Sequence, residues 1–152
     1  MSIDQRLAEL GLELPEPAAP VAAYVPAVEA GGLLYISGQV SQRDGARITG
    51  RLGEDLDVEA GRDAAHSCGI MLLAQMKQAL GSLDRVARVV KLGVFVNSTQ
   101  DFTDQPKVAD GASKLMADVF GDAGKHARSA VGVPSLPLGV AVEIDAVVAV
   151  KP

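Results

Sequence analysis

The last apolar segment of the chain, residues 140–150, has apolar side chains on both of its faces. Side chains of a β-strand alternate between two faces. One face of this segment carries Val140, Val142, Ile144, Val148 and Val150, and the other carries Ala141, Val147 and Ala149. Such a strand must be covered on both sides to be kept from water. The segment therefore predicts a strand that needs a cover on both of its faces.

Two long amphipathic helices are predicted upstream of this strand. Apolar residues recur at helical spacing over residues 58–80, and Asp55 or Asp57 is placed to cap the start of that helix. Thr103 or Asp104 is placed to cap the start of the second helix, with Pro106 tolerated in its first turn. Each helix is followed by a glycine, which favours termination there.

Strands are predicted over residues 33–38, 86–96, 127–133 and 140–150, with a further short strand within residues 41–54. The resulting order, ββαβαββ, predicts an α/β (α+β) fold with a mixed sheet and both long helices on one face. Two helices cover only one face of such a sheet. Self-association is therefore expected to cover the other face.

The length and composition limit the class of protein. At 152 residues the chain is most simply one folded unit, and its net charge of −5 argues against binding nucleic acid without sequence preference. The single cysteine, Cys68, cannot form an internal disulfide, which fits a reducing compartment. Neither a signal peptide nor an apolar run long enough to span a bilayer is recognisable, so we expect a cytoplasmic protein with no membrane partner.

The N-terminus is expected to form an arm in front of the main domain. Residues 3–10 have the pattern of a short helix, preceded by a capping box in which Ser2 and Gln5 bond reciprocally. Several prolines follow and favour an extended conformation. We therefore divide the chain into an arm, residues 1–20, and a domain, residues 21–152.

Arg128 is a cation within a predicted strand of small and β-branched residues. A charge in such a strand is costly to bury unless an anionic group meets it. One interpretation is an ion pair with Glu143, which requires the strands 127–133 and 140–150 to lie side by side. The other is a site for an anionic ligand, because a guanidinium binds a carboxylate through two parallel hydrogen bonds. Spacing alone leaves both interpretations open.

Other polar residues carry weaker signals. Ser37 ends an apolar strand, but no histidine is placed to act as its base, so a serine nucleophile is not indicated. Tyr24 is interpreted as a packing residue, His66 as part of a helix face and His126 as part of an exposed loop. The spacing of histidine and cysteine does not match a metal site, and no metal ligand is predicted.

Several motifs in order resemble the RidA/YjgF family, also known as the endoribonuclease L-PSP family. The resemblance covers about residues 20–152. The motifs that carry it are Tyr24–Val28, Leu34–Gln39, Val94–Asn97, Ala127–Val131 and Val142–Ile144. The most specific part is the pair of strands that contain Ala-Arg-Ser and Glu-Ile.

The resemblance implies a chorismate-mutase-like fold assembled as a homotrimer, with clefts between subunits. It also implies hydrolysis of 2-imino or enamine acids to 2-keto acids and ammonia without a cofactor. Arg128 would bind the carboxylate of the substrate, and Glu143 would position the attacking water. The further residues that the resemblance assigns to substrate binding are Tyr24, Ser37, Gly38 and Ala130. Ala130 stands where the family's deaminases often have cysteine.

Two other functions are considered. The first is a non-enzymatic module that binds small carboxylates through Arg128. The second is an endoribonuclease, which the acidic charge and the absence of a histidine-based acid–base pair make less favourable. A small carboxylate and two further copies of the chain are thus the partners that the resemblance implies.

Overall fold

Five strands form one mixed sheet in the computed structural model, which describes residues 1–19 and 22–152. They are β1 (Ala27–Ala30), β2 (Leu33–Val40), β5 (Val86–Asn97), β6 (Ala127–Val133) and β7 (Val142–Val150). The order across the sheet is β1-β2-β7-β5-β6, in which only β5 and β6 are parallel. The mixed sheet is confirmed, and β7 lies at its centre.

Two long helices, α2 (Val58–Leu80) and α3 (Gln105–Phe120), pack on one face of the sheet and against each other. Alternate strand residues point toward them and are buried. These residues are Leu34, Ile36, Val89, Leu92, Val94, Val96, Val142, Ile144, Ala146 and Val148. Cys68 lies in α2 within the same core. The prediction of both long helices on one face is confirmed.

The two helices begin differently. The Asp57 carboxylate accepts a hydrogen bond from the amide of Ala60 at 2.8 Å and caps α2, as one of the two alternatives predicted. Asp104 precedes α3 with φ −93° and ψ 28°, and its side chain makes no capping bond. The expectation of a side-chain cap at Thr103 or Asp104 is wrong, because a capping side chain needs the extended backbone that Asp57 has. Asp104 lies instead 3.6 Å from the Lys107 ammonium.

The first part of the sheet also differs from the prediction. The strand β1 was not predicted, since its alanines and its glutamate have low strand propensity. It pairs with β2 through Gly31 and Gly32, whose φ angles of 61° and 80° suit a tight turn. The short strand expected within residues 41–54 is a separate hairpin of β3 (Gln42–Arg43) and β4 (Ala46–Arg47).

The N-terminal helix α1 (Ile3–Glu9) has the predicted capping box between Ser2 and Gln5. Its Leu7 is buried, and the Arg6 guanidinium donates to the Asp118 carbonyl at 2.8 Å, which attaches α1 to α3. The predicted boundary between arm and domain, at residues 20 and 21, lies outside the described residues. None of the helices described here is long and apolar enough to cross a membrane.

No helix covers the second face of the sheet within residues 1–19 and 22–152. Val28, Tyr35 and Val131 are about half exposed on the strands of this face. Large apolar side chains exposed together mark a surface that binds another protein or a further copy of the chain. The uncovered face agrees with the expected self-association, while the trimer itself stays a prediction.

Candidate functional site

Arg128 lies on β6, the last strand at one edge of the sheet. It is paired in register with Leu92, and its side chain points to the helix-covered face, where it contacts α3. The Nη1 nitrogen donates to the Asp110 carboxylate at 2.8 Å and to the Ser113 hydroxyl at 3.1 Å. The Arg128 side chain is 23% exposed, against 53% for Asp110. The guanidinium is therefore half-enclosed between the sheet edge and a helix.

The predicted ion pair between Arg128 and Glu143 is wrong within one chain. It required β6 and β7 to be neighbours, but β5 lies between them. Glu143 is opposite Phe95, whereas Arg128 is opposite Leu92, so the two are also displaced along the strands. Strand spacing places their backbones roughly 14 Å apart, with side chains on opposite faces. The cation is paired with Asp110 instead.

His126 lies just before β6 and is hydrogen-bonded to Ser113, which also contacts Arg128. Its Nε2 lies 2.9 Å from the Ser113 hydroxyl, and its Nδ1 lies 2.7 Å from the Gly124 carbonyl. Burial lowers the pKa of His126, and the nearby Arg128 charge lowers it further, while the bond to Gly124 opposes them. His126 is thus half-buried and neutral near pH 7, not part of the exposed loop that the sequence suggested.

Glu143 lies on the uncovered face, where its carboxylate occupies the space beside Gly38. The register of β2 and β7 shifts between Ile36 and Gln39, so a bulge places Gly38 next to this carboxylate. Burial raises the pKa of Glu143, and the charge of Asp145 on the same face raises it further. A carboxyl group with a raised pKa is a stronger candidate for general acid–base work than a carboxyl group with an ordinary pKa.

Ser37 lies beside Gly38 in the bulge and is hydrogen-bonded to the segment that follows Tyr24. The Ser37 hydroxyl donates to the Val25 carbonyl at 3.2 Å, and the Ser37 amide donates to the Pro26 carbonyl at 2.9 Å. These bonds attach the segment that carries Tyr24 to the bulge. The Tyr24 side chain is 62% exposed and available for contacts. The interpretation of Tyr24 as a packing residue does not hold within one chain.

The predicted site residues therefore form two separate groups. One group lies around the bulge and on the uncovered face, and consists of Tyr24, Ser37, Gly38 and Glu143. The other group is on β6 and consists of Arg128 and Ala130. Ala130 is opposite the buried Val94 and shares the helix-covered side with Arg128. The structure of one chain does not bring the two groups together.

Sequence reasoning missed the residues that hold Arg128. Asp110 and Ser113 are three positions apart on α3, so they share a face of the helix. They flank the apolar stripe of α3, and a polar pair at that position was the available signal. It could not be assigned to Arg128 before the position of β6 beside α3 was known.

A groove of about 870 Å³ runs between α2 and α3 on the outer side of the helices. Asp110 and Ser113 line it, together with His66, but Arg128 and Glu143 do not. Within the described part of the chain, no cluster of histidine, cysteine, aspartate and glutamate has the arrangement of a metal site.

Comparison with known proteins shows the wider relationship of the chain. A family model described as "YjgF/chorismate_mutase-like, putative endoribonuclease" matches residues 4–147. Protein TCP17 of Trypanosoma cruzi is 53% identical over 144 residues, which are 93% of this chain and 90% of that protein. A 2-iminobutanoate/2-iminopropanoate deaminase of Dermatophagoides farinae is 29% identical over 134 residues, or 87% and 89% of the two chains.

Among solved structures, the protein Atu1372 of Agrobacterium tumefaciens, described as having unknown function, superposes with a TM-score of 0.91. It is 46% identical, and the match covers 99% of this chain and 94% of that one. The fold and the order of its elements are therefore shared along nearly the whole chain.

Proposed function

The chain belongs to the YjgF/chorismate-mutase-like family, and from this premise we propose that it hydrolyses 2-imino and enamine acids in clefts between the subunits of a homotrimer. The products are 2-keto acids and ammonia. A relative named as an imine deaminase supports the reaction type. The observation that carries the proposal is that Arg128 and Glu143 do not neutralise each other, since they lie on opposite faces of the sheet.

Assembly of several subunits would bring the two groups of residues together. The group around Glu143 lies on a face that is uncovered in one chain, and Arg128 lies at the open edge of the sheet. A neighbouring subunit that packs on the uncovered face can bring its own Arg128 to Glu143. The cleft then contains a cation that binds a carboxylate and a carboxyl group that handles protons.

In the proposed reaction, Arg128 binds the substrate carboxylate and orients the adjacent imine carbon. Glu143 accepts a proton from a water whose oxygen adds to that carbon, and the proton passes to the imine nitrogen. The proton of the new hydroxyl then passes to the amine nitrogen, the carbon–nitrogen bond breaks as the keto group forms, and ammonia leaves. An imine carbon is already electrophilic, so the reaction needs no cofactor. Tyr24, Ser37 and the Gly38 backbone would line the cleft.

The reaction is tested with 2-iminobutanoate generated in place by an amino-acid oxidase acting on 2-aminobutanoate. We expect wild-type protein to release ammonia and keto acid faster than spontaneous hydrolysis does. The Arg128→Ala variant should lose this acceleration. Equal rates for the two proteins would overturn the proposal. Sedimentation should give a mass near three times the 15.7 kDa of one chain.

A carboxylate-binding module without catalysis is the second candidate. The pairing of Arg128 with Asp110 favours it, because a cation that already has an anionic partner offers a weaker field to a reacting group. A module of this kind would bind a keto acid but would not hydrolyse any imine. An endoribonuclease would instead degrade RNA, so intact RNA after incubation with highly purified protein would exclude it.

We propose the cytoplasm as the compartment, since the buried Cys68 has no disulfide.

A further inference from the structure

The hydrogen bonds around Arg128 have a defined direction, which follows from the donors and acceptors available. The Gly124 carbonyl only accepts, so Nδ1 of His126, 2.7 Å away, carries the proton. In the neutral ring Nε2 is then an acceptor. The Ser113 hydroxyl, 2.9 Å from Nε2, donates its proton to it. The lone pairs of the Ser113 oxygen remain free to accept from Arg128, at 3.1 Å.

The same bonds decide which edge of the guanidinium is free. Nη1 of Arg128 carries two hydrogens, and the two bonds to Asp110 and Ser113 use both. Among the described residues, no group accepts a hydrogen bond from Nε or Nη2. These two nitrogens lie on one edge of the planar group and form a fork that matches a carboxylate. The contacts on Nη1 thus fix the plane of the guanidinium and leave the fork open.

We propose that Ser113 and His126 are positioning residues that hold Arg128 with its Nε–Nη2 edge presented to the substrate carboxylate. The proposal rests on the proposed use of Arg128 as the carboxylate binder. Neither residue touches the substrate. His126 acts by orienting the Ser113 hydroxyl, and Ser113 acts by fixing Nη1. Asp110 supplies the second contact on Nη1 but also a negative charge, so it does not have the same role.

The low pKa of His126 supports this arrangement, because the relay needs the neutral ring. A protonated ring would donate from Nε2 to the Ser113 oxygen. The serine proton would then lose its acceptor, and a second positive charge would lie beside Arg128. Burial of His126 between α3 and the start of β6 keeps the ring in the form that accepts.

The experiment measures binding of 2-oxobutanoate, the keto acid that 2-iminobutanoate gives, by calorimetry on the full chain. Ser113→Ala and His126→Phe remove the donor and the acceptor of the relay. We expect each to raise the dissociation constant about tenfold, the usual effect of losing a hydrogen bond to a charged group. Ser113→Thr keeps the hydroxyl and should stay within about twofold of wild type. Lys114→Ala is the matched control, since this neighbouring side chain is exposed and forms an ion pair with Asp118, away from Arg128.

Kinetics with the imine give a readout that a merely structural role would not move. Loss of orientation weakens ground state and transition state alike, so KM should rise in Ser113→Ala while kcat changes little. Unchanged KM and unchanged keto-acid affinity in both Ser113→Ala and His126→Phe would overturn the positioning role.

The two proposals fail separately. If wild-type protein binds the keto acid but hydrolyses no imine, and Ser113→Ala still weakens binding, the deaminase is excluded and the relay stands. If imine is hydrolysed at the wild-type rate and KM in Ser113→Ala, the relay is excluded and the deaminase stands. If the wild-type protein does not bind the keto acid, the relay has nothing to orient and is also excluded.

Discussion

Arg128 and Glu143 are on opposite faces of one sheet, with the whole of β5 between their strands. Arg128 points to α3, and Glu143 points to the face without helices. Two ionisable groups of one catalytic site cannot act together from these positions in a single chain. If they act together at all, each cleft must take Arg128 from one subunit and Glu143 from another.

This separation predicts complementation between inactive variants. Arg128→Ala and Glu143→Gln should each abolish imine hydrolysis as homotrimers. When the two variants are co-expressed with different tags and the mixed trimers are purified, a site with both native residues can form between subunits. Every mixed trimer, whichever variant it contains twice, has one such site among its three, so about a third of wild-type activity is expected.

The controls for complementation are the two purified homotrimers, mixed without exchange of subunits. They should stay inactive together. Mixed trimers that also stay inactive would mean that Arg128 and Glu143 act from one chain, contrary to their positions here.

The elements were predictable from sequence, but the neighbours in the sheet were not. The apolar periodicity of α2 and α3 comes from burial on one side, which the sequence records directly. Strand order is set by packing across the whole chain. The 134–139 connection suggested that β6 and β7 pair, yet β5 pairs with both of them, parallel to β6 on one side and antiparallel to β7 on the other. The wrong prediction of an ion pair between Arg128 and Glu143 followed from the assumption that β6 and β7 are neighbours.

Only part of the candidate site could be predicted, because the positions of its residues depend on the strand order. Arg128 and Glu143 could be found as charges in apolar strands, and the family motifs indicated Tyr24, Ser37 and Gly38. The contacts of Arg128 with α3 could not be found, because they join residues 15 to 18 positions apart through the geometry of a helix beside a sheet edge.

Removing the charge of Asp110 should strengthen carboxylate binding. In Asp110→Asn the amide oxygen can still accept from Nη1 of Arg128, but the negative charge beside the guanidinium is gone. We expect the dissociation constant for 2-oxobutanoate to fall by a few-fold, with a larger effect at low ionic strength. Calorimetry at two salt concentrations measures both effects.

Asp118→Asn is the matched variant for Asp110→Asn, since Asp118 is on the same helix and pairs with Lys114. It should leave the affinity unchanged. Weaker binding in Asp110→Asn would show that the ion pair with Asp110 orients Arg128 more than its charge competes with the ligand.

Glu143 should reduce stability at neutral pH. Its pKa in the folded chain is raised above the ordinary value, first by burial and then by Asp145. The group therefore favours folding when it is protonated, below its unfolded pKa, and this contribution is lost as the pH rises through the folded pKa. Glu143→Gln should accordingly raise the melting temperature at about pH 7, with a gain that shrinks toward about pH 4.

Asp145→Asn is a comparison variant for the melting-temperature measurement, in which a smaller effect is expected. Burial raises the pKa of Asp145 too, but the Gly93 amide and Lys91 oppose the shift. The same sign and a smaller gain are expected in melting curves over the same pH range. A lower melting temperature for Glu143→Gln at neutral pH would mean that a cation stabilises this carboxylate in the assembled protein.

Gly38→Ala should disable the proton-handling group while leaving the carboxylate binder in place. Neither Gly38 nor Gly93 has a positive φ, so alanine brings no backbone strain at either position. A Cβ at Gly38 would overlap the Glu143 carboxylate, and a Cβ at Gly93 would overlap that of Asp145 in the same way.

Each alanine therefore displaces one carboxylate of the uncovered face. We expect Gly38→Ala to lower kcat by about a hundredfold or more, in the range usual for loss of a positioned acid–base group. Gly93→Ala should lower it less than about twofold, because Asp145 has no proposed contact with the substrate. The affinity of Gly93→Ala for 2-oxobutanoate, measured by calorimetry, should stay close to that of wild type, since Gly93 has no proposed contact with the substrate. Equal losses of kcat in the two variants would contradict a specific role for Glu143.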